Sequence, residues 1–304
     1  MKNTKLIAVL VFAFLLSSCS SKVAYRYLDF FASVSISDYV SFNREQDALA
    51  DEKIDQILAW HQATQLNQYS DVIGQFMVDV QDPLSEQVLN KHLDSVYGFG
   101  RGLSNKVAPN AALVLSKLTD KQVTQLMESI REKTEERREE YFEPSRAELR
   151  EERIYRVAGL LENWMGDLSP EQWKVIARWS EQLNDPRDYW LEYKLIWDQR
   201  FEQALKNRKG PEFQDEINLL FVNFDQLWPQ DYAQAQQNNL QQGIALAIEL
   251  RASASPKQIA KFTKELGKLR KTFAELAEEA EPYEGQLVVL SDQSEEKSQI
   301  STFQ

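Results

Sequence analysis

From about residue 43 onward, apolar residues recur at three- and four-residue spacing, the period of an α-helix with one buried face. Ala50, Ile54, Ile57, Leu58 and His61 form one stripe, and Leu66, Tyr69, Ile73, Phe76 and Val80 the next. Val88, Leu89, His92, Leu93 and Val96 follow, then Val123, Leu126, Met127 and Ile130, then Ile154, Val157, Leu161 and Trp164. Ile259, Phe262, Leu266, Leu269, Phe273 and Leu276 alternate without a break. Such a heptad-like seam predicts a helix that packs lengthwise on another. Only residues 287–290 read as a strand, too short and isolated to build a sheet. The pattern predicts an all-α fold, an elongated multi-helix bundle or an irregular helical array.

Polar punctuation sets the helix starts. Thr119-Asp-Lys-Gln122, Ser169-Pro-Glu-Gln172 and Ser255-Pro-Lys-Gln258 fit the capping box, and Asn43-Arg-Glu-Gln46 is a weaker copy. In such a box the first side chain accepts from an early amide, and the Gln reaches back to the cap's own N–H. Pro170 and Pro256 then fall at the first helical position, where no donor is lost. Pro83, Pro144, Pro186, Pro211 and Pro229 mark other breaks or starts. The boxes recur at irregular intervals, so no fixed-period solenoid is expected.

The first residues differ from the rest. Lys2 and Lys5 precede an unbroken apolar run at 6–16, which is shorter than the roughly 20 residues a membrane-spanning helix needs. It fits the apolar region of an export signal. Leu16, Ser17, Ser18 and Cys19 then match the lipobox of bacterial lipoproteins position by position. That resemblance implies removal of residues 1–18 and lipidation of Cys19, which is the chain's single cysteine. Ser20, by resemblance to lipoproteins of Gram-negative bacteria, permits transfer to the outer membrane. The expected location is the periplasmic face of that membrane, with the membrane itself contacted through the N-terminal lipid.

Four regions follow: an export signal at 1–18, a lipidated aromatic segment at 19–42, a helical periplasmic domain at 43–280, and a polar tail at 281–304. The aromatic segment carries Tyr25, Tyr27, Phe30, Phe31, Tyr39 and Phe42. These rings either pack into the core, the preferred reading, or meet the membrane interface, where Tyr is favoured. The dense charged run at 131–153 reads as a solvated helix surface near Pro144 with i, i+4 ion pairs, or else as a docking strip.

The mature pattern resembles a family of uncharacterised proteobacterial lipoproteins carrying a domain of unknown function. The carrying features are the lipobox, the aromatic segment, Ile57-Leu58-Ala59-Trp60-His61 and Leu168-Ser169-Pro170-Glu171-Gln172. The resemblance implies an α-helical periplasmic domain. Leu118-Thr119-Asp120-Lys121-Gln122 is also similar to the LTxxQ motif of small periplasmic envelope-stress chaperones, and the segment at 168–172 is a near match. Much of that motif is the chemistry of a capped helix start with a hydrophobic staple.

The net charge of −12 argues against general nucleic-acid binding. Only His61 and His92 supply imidazole, each within an apolar stripe, and both read as core-edge residues, so no metal site is expected. Gly98-Phe99-Gly100-Arg101-Gly102 lacks a preceding strand and reads as a flexible helix–helix connection. No nucleophile pattern, catalytic residue or cofactor motif stands out. Six of the seven tryptophans fall between 164 and 228. Core packing explains most of them, but the wide apolar face after Pro170 raises a candidate aromatic groove of Trp173, Trp179 and Trp190 for glycan or extended peptide. The expected function is that of a non-catalytic binding or chaperone-like accessory factor of the cell envelope, with an envelope protein or cell-wall glycan as partner. The alternative is a glycan- or peptide-acting enzyme using Asp/Glu acid–base chemistry. The oligomeric state is left open.

Overall fold

The structure is a computed structural model that describes residues 18–185 and 187–283. Among the described residues there are twelve α-helices and no strand. They are α1 (Ser18–Arg26), α2 (Leu28–Ser37), α3 (Arg44–Thr64), α4 (Leu66–Asp79), α5 (Glu86–Ser116), α6 (Asp120–Phe142), α7 (Arg146–Met165), α8 (Pro170–Gln182), α9 (Arg187–Lys206), α10 (Phe213–Phe221), α11 (Gln230–Ser253) and α12 (Pro256–Glu278). A short 3-10 turn, Phe224–Leu227, precedes α11. The protein is therefore all-α, as its periodicity predicts. The strand reading at 287–290 falls outside the described residues, as does the leader before residue 18.

Apolar burial is divided among three cores. The largest gathers Ala108 and Ala112 of α5, Leu126 of α6, Leu205 of α9, and Ile217 and Leu220 of α10. A second joins Val80, Leu84 and Leu89 to Ile244. A third joins Ala158 and Ile176 to Leu246 and Leu250. Helix α11 belongs to both smaller cores, because Ile244 turns one way and Leu246 and Leu250 another. The heptad-like seam of α12 packs lengthwise, as expected, and its most extensive partner is α4. Glycines help there. A Cβ on Gly267 would meet Met77 Cε at 3.5 Å, and one on Gly74 would meet the Arg270 guanidinium at 3.0 Å.

All four predicted capping boxes form, Asn43–Gln46 included. A fifth, Ser145–Glu148, starts α7 just after the Pro144 break. Four of the boxes are used twice, because their glutamines meet in pairs. Gln46 Nε2 donates to Gln122 Oε1 at 3.0 Å, and Gln122 Nε2 donates back to Gln46 Oε1 at 2.6 Å. Gln172 and Gln258 do the same at 3.2 and 2.9 Å. Each amide's second N–H goes to the carbonyl two residues before its partner's cap: Lys117, Ser41, Ser253 and Asp167 respectively. Each Oε1 also accepts from its own cap N–H at 2.9 Å. Two donors and two acceptor sites are thus filled on every amide, the full capacity of the group. The pairs clamp the start of α3 to that of α6, and the start of α8 to that of α12.

One expectation is corrected. Residues 98–102 do not connect two helices; they lie in the middle of the 31-residue α5. Each glycine there costs about 1 kcal/mol of helix propensity. Packing on both sides outweighs that. Leu89 is held in the second core, Ala108 and Ala112 in the first, and the Phe99 ring meets that of Tyr69 at a tilt, with centroids 4.5 Å apart. The charged run is interrupted after Phe142, and its cations reach beyond their own helices. Arg131 pairs with Glu202 of α9 at 2.5 Å, and Lys133 lies 3.7 Å from the Tyr39 ring centre. Local pairs remain at Glu135–Arg138 and Glu152–Arg156.

Candidate functional site

Two apolar clefts open between the helices. The first, of about 390 Å³, lies beneath α2. Ile36 and Tyr39 wall one side, Ile54 and Ile57 of α3 the other, and Leu126 and Phe201 line the cleft from the largest core. Lys53 reaches this cleft with its Nζ bound by Glu52 Oε1 at 2.7 Å and Gln56 Oε1 at 3.2 Å. The second, of about 230 Å³, is enclosed by α4, α7, α11 and α12 through Phe76, Leu161, Met165, Leu246 and Phe262. Arg251 stands at its edge and donates to the Val80 and Gln81 carbonyls, both at 2.6 Å. Clefts this apolar recognise hydrocarbon or aromatic groups by area, with few polar contacts to fix orientation.

A third, wider cleft of about 1030 Å³ surrounds the start of α6. Its buried cation, Arg208, is only 7% exposed. The guanidinium donates to the Leu118 and Leu205 carbonyls at 2.8 and 2.9 Å, and to Asp120 Oδ1 at 2.6 Å. The arginine beside it holds the Asp120 carboxyl below the usual carboxylate range. With those partners Arg208 is a structural tie between α9 and α6.

The N-terminal helices are fixed to the body by polar contacts on one side. Lys22 pairs with Glu275 at 2.6 Å, and Arg26 with Glu279 at 2.9 Å, both on or next to α12. Tyr25 Oη lies 2.9 Å from His61 Nδ1, and His61 Nε2 lies 3.0 Å from Tyr69 Oη. A neutral imidazole serves both, donating through one nitrogen and accepting through the other. Burial pushes the His61 pKa down and those of Tyr25 and Tyr69 up. His92 closes instead on Asp79, at 2.7 Å, against the Phe76 ring.

The residues singled out from sequence are distributed as follows. Leu16 and Ser17 lie outside the described residues, while Ser18 and Cys19 form the first turn of α1. Trp173 and Trp179 share the third core, where α8 packs on both α7 and α11 and so covers a wide apolar face. Trp173 meets Tyr155 edge-on. Trp190 belongs to a different neighbourhood, with its ring 5.7 Å from that of Tyr141 on α6. Among the described residues no group of His, Cys, Asp or Glu has the arrangement of a metal site, and no helix is long and apolar enough to cross a membrane. Two features escaped sequence reasoning. The Tyr25–His61–Tyr69 chain joins residues from three helices, and Arg208 carries no motif.

The fold is thus an all-helical array in which four helix starts are locked in two pairs and two of the three clefts are apolar. The chain belongs to a family of unknown function, DUF6279, whose match covers residues 38–233. That span contains the first glutamine pair whole but only the Gln172 half of the second. No curated protein and no solved structure is similar to the chain.

Proposed function

We propose that this protein is a lipid-anchored lipoprotein of a proteobacterial outer membrane. It faces the periplasm and acts as a non-catalytic binding or chaperone-like accessory factor of the cell envelope. The observation that carries the binding reading is the pair of apolar clefts beneath α2 and between α4, α7, α11 and α12. Each offers hydrocarbon-lined volume suited to apolar side chains of an extended polypeptide. The anchoring reading rests on Leu16-Ser17-Ser18-Cys19 following a short apolar run. The similarity of residues 118–122 to the LTxxQ motif supports the chaperone-like reading, although here Gln122 is engaged in clamping two helices.

Two experiments test the two halves. Suppression of aggregation of an unfolding client is expected at equimolar protein, and Leu160→Lys, which places a charge on an exposed lining residue of the second cleft, is expected to weaken it without moving the far-ultraviolet spectrum. Absence of suppression by the unaltered protein removes the chaperone-like reading. For the anchor, Cys19→Ser is expected to stay unlipidated and at precursor size. A mutant that still fractionates with the outer membrane as the unaltered protein does would overturn the lipid as its means of attachment.

A further inference from the structure

We infer that α1 and α2 lie flat on the lipid surface, with Val23, Tyr27, Phe30, Phe31 and Val34 forming the contact. The inference rests on the anchoring reading and adds an orientation to it. These five side chains are between 43 and 58% exposed. On α2 the 3-1-3 spacing keeps Tyr27, Phe30, Phe31 and Val34 within about 100° of arc on a helical wheel, and Val23 stands on α1 one turn before its end. Tyr27, with φ −110° and ψ 14°, separates α1 from α2 and is the N-cap of α2. Its N–H donates to the Ala24 carbonyl at 3.3 Å, and its carbonyl accepts from Phe31 N–H at 3.0 Å.

The other side of the same helices faces the body. Lys22 and Arg26 are held by Glu275 and Glu279, Tyr25 by His61, and Ser33 donates to Asp51 at 2.8 Å. Side chains that long, pinned in that direction, leave the apolar row turned outward. Continuity favours a bilayer as what covers it. Cys19, the proposed lipid attachment, precedes Val23 by one helical turn in α1, a rise of about 6 Å. Acyl chains entering the membrane there bring the row to its surface. Tyr is favoured at the membrane interface, and Phe suits the apolar face of a helix lying in it. Because the chain is acidic and the nearby cations are already paired, the contact is apolar and should be insensitive to salt.

The test uses acylated full-length protein on phosphatidylcholine vesicles, with Phe30→Cys carrying an environment-sensitive fluorophore and Tyr155→Cys, on the exposed face of α7, as control. The fluorophore at 30 should shift to shorter wavelength and be quenched by brominated lipid, while that at 155 stays open to aqueous iodide. Equal iodide access at 30 with and without vesicles overturns the inference. Protection at 30 without vesicles, with a doubled mass in light scattering, also overturns it, in favour of a second copy. Intact mass of the same sample reads the anchor separately. If Cys19 is bare, the anchoring reading fails. The row is then tested by Cys19→Ser protein with and without Tyr27→Ser, Phe30→Ser and Phe31→Ser together. A fall in vesicle partitioning of about tenfold or more on adding the three serines supports the contact, and unchanged partitioning overturns it.

Discussion

Gln172 and Gln258, 86 positions apart, exchange two amide hydrogen bonds and thereby join the starts of α8 and α12. Both are buried, Gln172 completely. A buried amide is destabilising unless all its donors and acceptors are met, and here each meets the other's. The same geometry recurs at Gln46 and Gln122, so two distant clamps obey one rule: a capping glutamine satisfies its own helix and a second helix together.

Truncating either member of the Gln172–Gln258 clamp should destabilise strongly. Gln258→Ala removes a cap contact and leaves the Gln172 amide and the Asp167 carbonyl without their partners. The expected loss is about 2–4 kcal/mol, from lost capping and an unmet buried amide. Gln172→Ala should act alike. The double mutant should fall short of the sum by about 1–3 kcal/mol, because the second truncation removes a group already orphaned by the first. Urea denaturation of the four proteins measures this, and simple additivity would count against a reciprocal clamp.

Arg208 makes a sharper contrast. Its guanidinium fills two carbonyls and a carboxylate from a nearly solvent-free position. Arg208→Met should cost about 3 kcal/mol, since the Leu118 and Leu205 carbonyls lose a charged donor. Arg208→Lys should recover little of this, because an ammonium cannot reproduce the planar fork. Asp120→Ala, which removes the solvent-facing partner, should cost the least of the three, because water screens that pair. Thermal unfolding ranks the three, and a lysine variant as stable as the original would show that charge alone suffices.

Much of this fold was written locally. The 3.6-residue stripes predicted α3, α4, α6, α7 and α12, and the cap residues fixed where several begin. The pairing of those caps was not legible, because a capping box specifies only four neighbouring residues and says nothing of what lies 76 or 86 positions away. The helix through residues 98–102 was misread for a related reason. Glycine lowers local propensity, whereas Phe99 on Tyr69 and the cores at both ends of α5 act through tertiary packing. The aromatic segment at 19–42 packs into the core only in part. Tyr39 and Phe42 pack on the largest core and Tyr25 binds His61, while Tyr27, Phe30 and Phe31 face outward. Helical spacing could have separated the two sets once α1 was known to lie on α12. For the candidate site, tryptophan density marked the third core but not the clefts, whose walls are aliphatic and phenylalanine or tyrosine residues drawn from many helices.

Burial also ranks the aliphatic positions. Ile217 is completely buried in the largest core, whereas Leu195 of α9 is more than half exposed. Ile217→Ala should therefore lose about 2–5 kcal/mol, combining lost transfer energy with the cavity left behind. Leu195→Ala should change stability by no more than about 0.5 kcal/mol. Comparable losses at the two sites, read as urea midpoints, would mean that Leu195 is covered in solution.

His61 should make stability depend on pH. Burial holds its pKa below the ordinary 6.5 in the folded chain, while the unfolded chain titrates near about 6.5. As pH falls through that value, the unfolded state takes up a proton that the folded state resists, so unfolding becomes easier. The loss begins below about 6.5 and continues until the lower folded value is reached. Carboxylates such as Asp185 and Glu275 have lowered pKa values in the fold, so they contribute stability that is lost only at more acid pH, below about 4. Between pH 7.5 and 5.5, the original protein should therefore lose stability more steeply than His61→Gln, which keeps a side chain able to bond Tyr25 or Tyr69 but cannot be protonated there. Urea midpoints across that interval give the two slopes. Parallel slopes would show that the imidazole is free to charge without disturbing the hydrogen bonds to Tyr25 and Tyr69.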